Sequence, residues 1–343
     1  MIHGTSAAVE SVSWQSLLAR SITDPEQLLS RLSLDTSLLD GALAASADFP
    51  LRVPEPYLSR IQPGNPHDPL LRQVLPLGEE LLEQPDFVMD PLGEQHTNAR
   101  PGVIHKYHGR LLLIVSGGCA VNCRYCFRRH FPYGDNNLST DDWQQALDYI
   151  RQDESISEII YSGGDPLAAS DKRIAWLTRE IAAIAHVRRL RVHTRLPVVI
   201  PQRVTSELID ALCGTRLPVT MVLHCNHANE IDRQLAEAIQ RLRQAGIVLL
   251  NQAVLLKGVN DNIGDLVSLS EALGDHGVLP YYLHVLDHVK GAQHFHVDDR
   301  AASGLAAEML ARLPGFLVPR LVREVAGQSS KTPLPFGPVE ATV

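Results

Sequence analysis

The sequence predicts an α/β fold, a partial (βα)6 TIM-like barrel preceded by a helical and irregular extension. Three observations predict it. From Lys106 onward, six short apolar runs alternate with segments of helical period. Most of the runs are rich in Val, Ile and Leu, as strands buried on both faces are. The first hundred residues lack that alternation, and six prolines fall between Pro50 and Pro69. Six βα units in series imply a parallel sheet with right-handed crossovers, and six units are too few to close an eight-unit barrel. The expected division is residues 1–100 as the extension, 101–326 as the core barrel and 327–343 as a C-terminal segment.

The elements follow in order. Asp24-Pro25 starts a helix, with Asp24 as N-cap and Pro25 in the first helical position, and Leu28, Leu29 and Leu32 repeat at helical spacing behind it. The expected strands are Leu111–Ser116, Glu158–Ser162, Leu190–Thr194, Val219–His224, Ile247–Gln252 and Leu279–Val285. The first intervening helix starts near Ser139, where Asp142 completes a capping box. The others cover roughly Ile174–His186, Ser206–Leu212, Glu230–Gln244, Asp265–Leu273 and Ala301–Leu313.

Composition narrows the function. The chain has 343 residues, 20% charged, with a net charge of −8, so it lacks the basic excess of a nucleic-acid binder. No apolar run approaches the roughly 20 residues of a membrane span, and residues 1–13 carry no secretory signal. Five cysteines are too few for a disulfide scaffold, and three of them lie within eight residues, which points to metal binding in a reducing compartment, the cytoplasm.

Those three are Cys119, Cys123 and Cys126, in the loop directly after the first expected strand. Loops after strands form the active face of barrel enzymes. Three thiolates at C-x3-C-x2-C can each bind one iron of a four-iron cluster, leaving the fourth iron open to another ligand. The same spacing admits a zinc ion with His130 as fourth ligand.

With Tyr125 just before the last cysteine, this motif resembles the radical S-adenosylmethionine superfamily. The resemblance implies a [4Fe-4S] cluster on Cys119, Cys123 and Cys126 and S-adenosyl-L-methionine chelated to the open iron. Its reductive cleavage would yield a 5′-deoxyadenosyl radical. Ser162, Gly163, Gly164 and Asp165, after the second strand, are similar to the family's glycine-rich motif that meets the methionine amine; many members carry Glu at the position of Asp165.

A closer resemblance, from about Lys106 to Lys331, is to the lysine 2,3-aminomutase family. It rests on Cys126-Phe127-Arg128-Arg129, His193-Thr194-Arg195-Leu196-Pro197, His224-Cys225-Asn226-His227, the run Asn251 to Asp261, and Ser330-Lys331-Thr332-Pro333. Within it the chain looks most like the short bacterial branch whose β-lysine is attached to elongation factor P. The resemblance implies an isomerase that converts L-α-lysine to β-lysine with pyridoxal 5′-phosphate. Lys331 would carry the cofactor as a Schiff base, and Arg110, Lys106 and Tyr107 would lie at its phosphate, with Lys106 replacing an arginine of the family. Arg128 would bind the substrate carboxylate, Asp287 and Glu324 its ε-ammonium, and His224 and Gln252 would lie near the adenosyl group. Longer members have a cysteine-bearing extension that helps bind zinc, which is not expected in this chain.

The implied partners are free L-lysine, an electron donor such as a flavodoxin or ferredoxin, and an elongation factor P ligase that takes the product. Two other readings remain open: a radical aminomutase for arginine or glutamate, and a non-catalytic metal-binding module that docks a partner protein. Two acids at Asp287 and Glu324 suit a cationic side chain and oppose an anionic one.

Overall fold

In the computed structural model, which describes residues 12–94, 98–136 and 138–337, ten strands form one sheet in chain order. The segment expected to lack a secretory signal lies mostly in residues 1–11, and the end of the C-terminal segment in 338–343; both stretches fall outside the described residues. β1 (Asn98–Arg100), β2 (Val103–Tyr107) and β3 (Arg110–Ser116) pair antiparallel. From β3 the sheet runs parallel through β4 (Glu158–Gly163), β5 (Arg189–Thr194), β6 (Val219–Leu223), β7 (Val248–Val254), β8 (Leu279–His284) and β9 (Arg320–Arg323). β10 (Thr332–Pro333) then folds back antiparallel on β9. The six expected strands are β3 to β8. β9 is a seventh parallel strand that the sequence does not announce, because it has only four residues and an arginine at each end. Neither end of the sheet pairs with the other, so the barrel is open.

The strands are not apolar on both faces, as their composition suggested. Ile160 and Ser162 of β4, Arg191 and His193 of β5, Gln252 and Val254 of β7, and Tyr282 and His284 of β8 face a cavity inside the curve of the sheet. The alternate residues Ile159, Tyr161, Leu190, Val192, Ala253 and Leu283 join the apolar core on the other side, as the two-residue period of a strand requires.

The helices begin where the caps place them. Asp24 accepts the Glu26 N–H at 3.0 Å ahead of the helix Pro25–Arg31, and Ser139 with Asp142 forms the capping box of Thr140–Gln152. The extension is packed onto the barrel rather than standing apart. Leu28, Tyr57 and Leu70 belong to the same buried cluster as Leu111, Leu190 and Leu249.

Its polar contacts reach the cysteine loop. Glu80 accepts from Arg124 Nε at 2.8 Å and Nη2 at 2.6 Å, and from Arg129 Nη2 at 3.0 Å. All three side chains are fully buried. Removing one partner of such a group strands the others without water. Glu80→Ala is therefore expected to cost about 3–5 kcal/mol of stability, read by chemical denaturation, whereas a change under 1 kcal/mol would show that the arginines find other compensation.

Candidate functional site

The three cysteines and every residue to which the sequence gives a cofactor or substrate role line one cavity of about 660 Å³ inside the curve of the sheet. That volume suits small-molecule ligands.

One end of the cavity is the cysteine loop. Cys119, Cys123 and Cys126 all line it, and all are free thiols. Burial, then the neighbouring Cys126, pushes the Cys119 thiol well up, and burial with Cys123 takes Cys126 to about 11. The Cys119 and Cys126 thiols therefore ionise only with cationic partners, and iron supplies them. Among the described residues, no three His, Cys, Asp or Glu side chains converge on one point where a single ion could sit. His130, the possible fourth zinc ligand, instead has Nε2 3.1 Å from the carbonyl of Lys290.

The loop after β4 lies directly against the cysteines. Gly164 N donates to Ser116 O at 2.8 Å and Asp165 N to Gly118 O at 2.8 Å. Gly163 has φ +131°, and a Cβ there would sit 2.3 Å from Ser116 O, so only glycine fits. Ser162 Oγ and Gly163 O accept from Arg128 Nη1. Asp165 is wholly engaged by the chain: it accepts from Thr194 Oγ1 at 2.7 Å and from the N–H groups of Leu167, Arg195 and Leu196. It shapes the loop, and its carboxylate has no oxygen left over for a ligand's amine.

The other end carries alternating charges. Arg128 is buried, and Glu94 takes its fork through Nε at 2.6 Å and Nη2 at 2.9 Å. Arg129 is buried on Glu80 and on the Gly291 carbonyl at 2.9 Å. Lys106 Nζ lies 3.1 Å from Glu94 and 3.4 Å from Glu324. Tyr107 donates to Glu324 at 3.1 Å. The tight β2–β3 turn, with Gly109 at φ +74°, brings Lys106, Tyr107 and Arg110 together. Arg110 stacks 4.6 Å over the Tyr107 ring, and no ion-pair partner for it is seen among the described residues.

The β9–β10 hairpin delivers the last pair. Thr332 opposes Arg323 in register, so Glu324 and Lys331 flank the turn and meet at 2.5 Å. Burial would raise the Glu324 carboxyl, but Lys331 and Lys106 hold it down at about 2. Asp287 is the opposite case. Burial, and then the Glu324 charge, pushes it up to about 7, with Lys331 opposing, Glu94 adding and Lys106 opposing.

Between the two ends lies a lining of unpaired polar atoms. His193 Nε2, His224 Nε2, His284 Nε2 and Gln252 Oε1 are buried without a hydrogen-bond partner. Burial holds His224 down at about 3 and lowers His193 and His284 well below the usual histidine range, so all three are neutral at pH 7. Neutral imidazoles each offer a donor and an acceptor. Orphaned groups of this kind await a ligand with matching heteroatoms, and the donor set fits an adenosyl group and a pyridoxal cofactor.

Glu94, His193, His284 and Arg195 carry no role in the sequence reading. Glu94 lies in a stretch of sequence with no periodic signal. His193 and His284 could have been found as polar residues at cavity-facing positions near strand ends.

The chain matches the family model described as the Radical SAM superfamily over residues 113–269. It is 51% identical over 323 residues to an L-lysine 2,3-aminomutase of Escherichia coli (strain K12), covering 94% of each chain. It is 49% identical to one of Haemophilus influenzae, covering 94% of this chain and 96% of that one. An L-lysine 2,3-aminomutase of Clostridium subterminale is 33% identical over 94% of this chain and 77% of its own length.

One test of the site is steric. A Cβ on Gly164 would lie 2.6 Å from Gly117 O, 2.7 Å from Gly118 O and 2.9 Å from Cys119 Sγ. Gly164→Ala is expected to displace the cysteine loop and lose most bound iron while far-UV circular dichroism stays unchanged. Full iron content in that variant would mean that the two loops need not touch.

Proposed function

The chain belongs to the L-lysine 2,3-aminomutase family of radical S-adenosylmethionine enzymes, and from that premise we propose how its cavity moves the α-amine of L-lysine to the β-carbon. It is an isomerase whose cofactors are a [4Fe-4S] cluster, S-adenosyl-L-methionine and pyridoxal 5′-phosphate. When bound, these groups supply a carbon radical to abstract hydrogen and a π system that lets an amine pass between adjacent carbons.

The chain's own residues bind, orient and exclude water. Cys119, Cys123 and Cys126 would hold the cluster, and Gly163 and Gly164 leave room for the methionine end beside it. His224 and Gln252 would satisfy the adenosyl group with their unpaired atoms. Lys331 would hold the pyridoxal, with Arg110 and Lys106 beside its phosphate and Tyr107 at the same turn. Arg110 is the strongest candidate for the phosphate, because Lys106 is already shared between two acids. Arg128 would turn its fork to the substrate carboxylate, which requires Glu94 to give up the contact it makes in this structure.

The observation that carries the substrate assignment is the pair of acids at the Lys331 end. Glu324 is ionised and pairs with Lys331. With that amine engaged by its cofactor, one Glu324 oxygen is left to a second cation. Asp287 is half-buried in the same cavity, and desolvation and the Glu324 charge raise its pKa to about 7, so a further cation beside it would favour its ionised form. An ammonium at the end of a four-carbon side chain suits these acids, and a glutamate carboxylate would be repelled.

Residues 1–100 serve, in this reading, as a brace for the cysteine loop, residues 101–326 as the catalytic barrel and 327–343 as the segment that brings Lys331 to it. The reductant is proposed to be a flavodoxin or ferredoxin. The product is proposed to pass to an elongation factor P ligase, a reading supported only by the resemblance to the short bacterial branch, since the chain is 51% identical to the Escherichia coli enzyme and 33% to that of Clostridium. A cytoplasmic location rests on the cysteine chemistry, which needs reduced thiols. No helix of the described residues is long and apolar enough to cross a membrane.

The substrate assignment is tested at Asp287. Asp287→Asn is expected to weaken lysine binding by a factor of tens to thousands, about 2–5 kcal/mol, with iron and pyridoxal content unchanged. In the wild type, binding of an ammonium draws Asp287 into its ionised form. Affinity for lysine should therefore rise as pH increases through about 7, where Asp287 of the free enzyme ionises, and the Asn variant should lose that rise. Wild-type affinity and pH dependence in the variant would remove Asp287 from the substrate site.

A further inference from the structure

Arg195 follows β5 at the open end of the sheet and is 5% exposed. Its Nη1 donates to Cys123 Sγ at 2.8 Å and also to the Tyr125 hydroxyl. Its Nη2 donates to Gln73 Oε1 at 2.7 Å and to Glu230 Oε2 at 3.0 Å. Glu230 is itself buried and fixed by the N–H groups of Asn226 and His227. Gln73, from the extension, is held by the Pro69 carbonyl at 3.1 Å. The guanidinium is therefore locked from three directions, with one nitrogen aimed at a sulfur.

We propose that Arg195 sets the reduction potential of the iron–sulfur cluster through its charged hydrogen bond to the sulfur of Cys123. This rests on the reading of Cys123 as a cluster ligand. Reduction moves one electron from an external one-electron reductant onto the cluster, with no bond made or broken. The added negative charge develops in a buried site, where a fixed cation within hydrogen-bond reach of a ligand sulfur stabilises the reduced form more than the oxidised one. Glu230 tempers that effect, since it shares the same guanidinium. The arrangement suits a cluster that must be reducible yet strong enough a reductant to cleave a sulfonium.

The test uses the full chain loaded anaerobically with iron and sulfide. Iron is counted, and the potential is measured by redox titration followed by electron paramagnetic resonance. Arg195→Gln is expected to keep its iron and to show about tenfold less reduced cluster at a fixed applied potential, a shift of about 59 mV to more negative values for one electron. Arg195→Lys keeps the charge without the fork and should fall between this variant and the wild type. An unchanged potential in Arg195→Gln at full iron content would overturn the proposal. So would loss of iron from both variants with unchanged circular dichroism, because Arg195 would then be a support of the loop. Cys123→Ala separates the two claims: if it keeps full iron, the ligand assignment fails first and the proposal with it.

Discussion

A carboxylate buried without water, that of Glu80, joins the cysteine loop to the rest of the chain. Arg124 follows Cys123 directly, and Arg129 lies three residues past Cys126. Both donate to Glu80, and neither is exposed. Two guanidinium groups in an apolar setting are very costly unless paired and hydrogen-bonded. The pairing ties the loop to the 3-10 turn Gly78–Leu81, which carries Glu80. The extension thereby becomes part of the site: it fixes the loop that carries the cysteines, and its Gln73 and Glu94 reach the arginines inside the cavity.

The same constraint organises the rest of the cavity. Among the described residues, most cations in it have an acid in reach, Arg110 and Arg320 excepted. Arg128 and Lys106 share Glu94, Lys106 and Lys331 share Glu324, and Arg195 has Glu230. Those pairs hold the side chains in place before ligands arrive. Pre-set geometry is what a radical reaction needs, since a reactive carbon must meet one hydrogen and no other. The neutral histidines between the charged ends add donors and acceptors without adding charge.

Much of this was legible in the sequence. The six parallel strands followed from short runs rich in Val, Ile and Leu set between helical segments, although only alternate residues of each run face the apolar core. The cysteine motif and the family segments picked out residues that the fold brings to one cavity, among them Lys331, Asp287 and Glu324. β9 was not legible, since four residues bounded by arginines give no apolar signal. Nor was the pairing of Arg128 with Glu94, which joins residues 34 apart in sequence. Lys331 shows the same limit from the other side. As a residue near the end of a chain it looks solvated, and only the β9–β10 register places it beside Glu324. Long-range register and buried charge pairing are properties of the folded chain, and local pattern does not encode them.

The acids at the Lys331 end suit a cationic amino acid and oppose an anionic one. The most direct measurement is anaerobic incubation of the reduced, fully loaded enzyme with S-adenosylmethionine and L-lysine or L-glutamate, followed by chromatographic identification of the amino acids formed. The account predicts β-lysine from lysine and no β-isomer from glutamate. Conversion of glutamate, or no β-lysine from a sample with full iron and pyridoxal content, would contradict it.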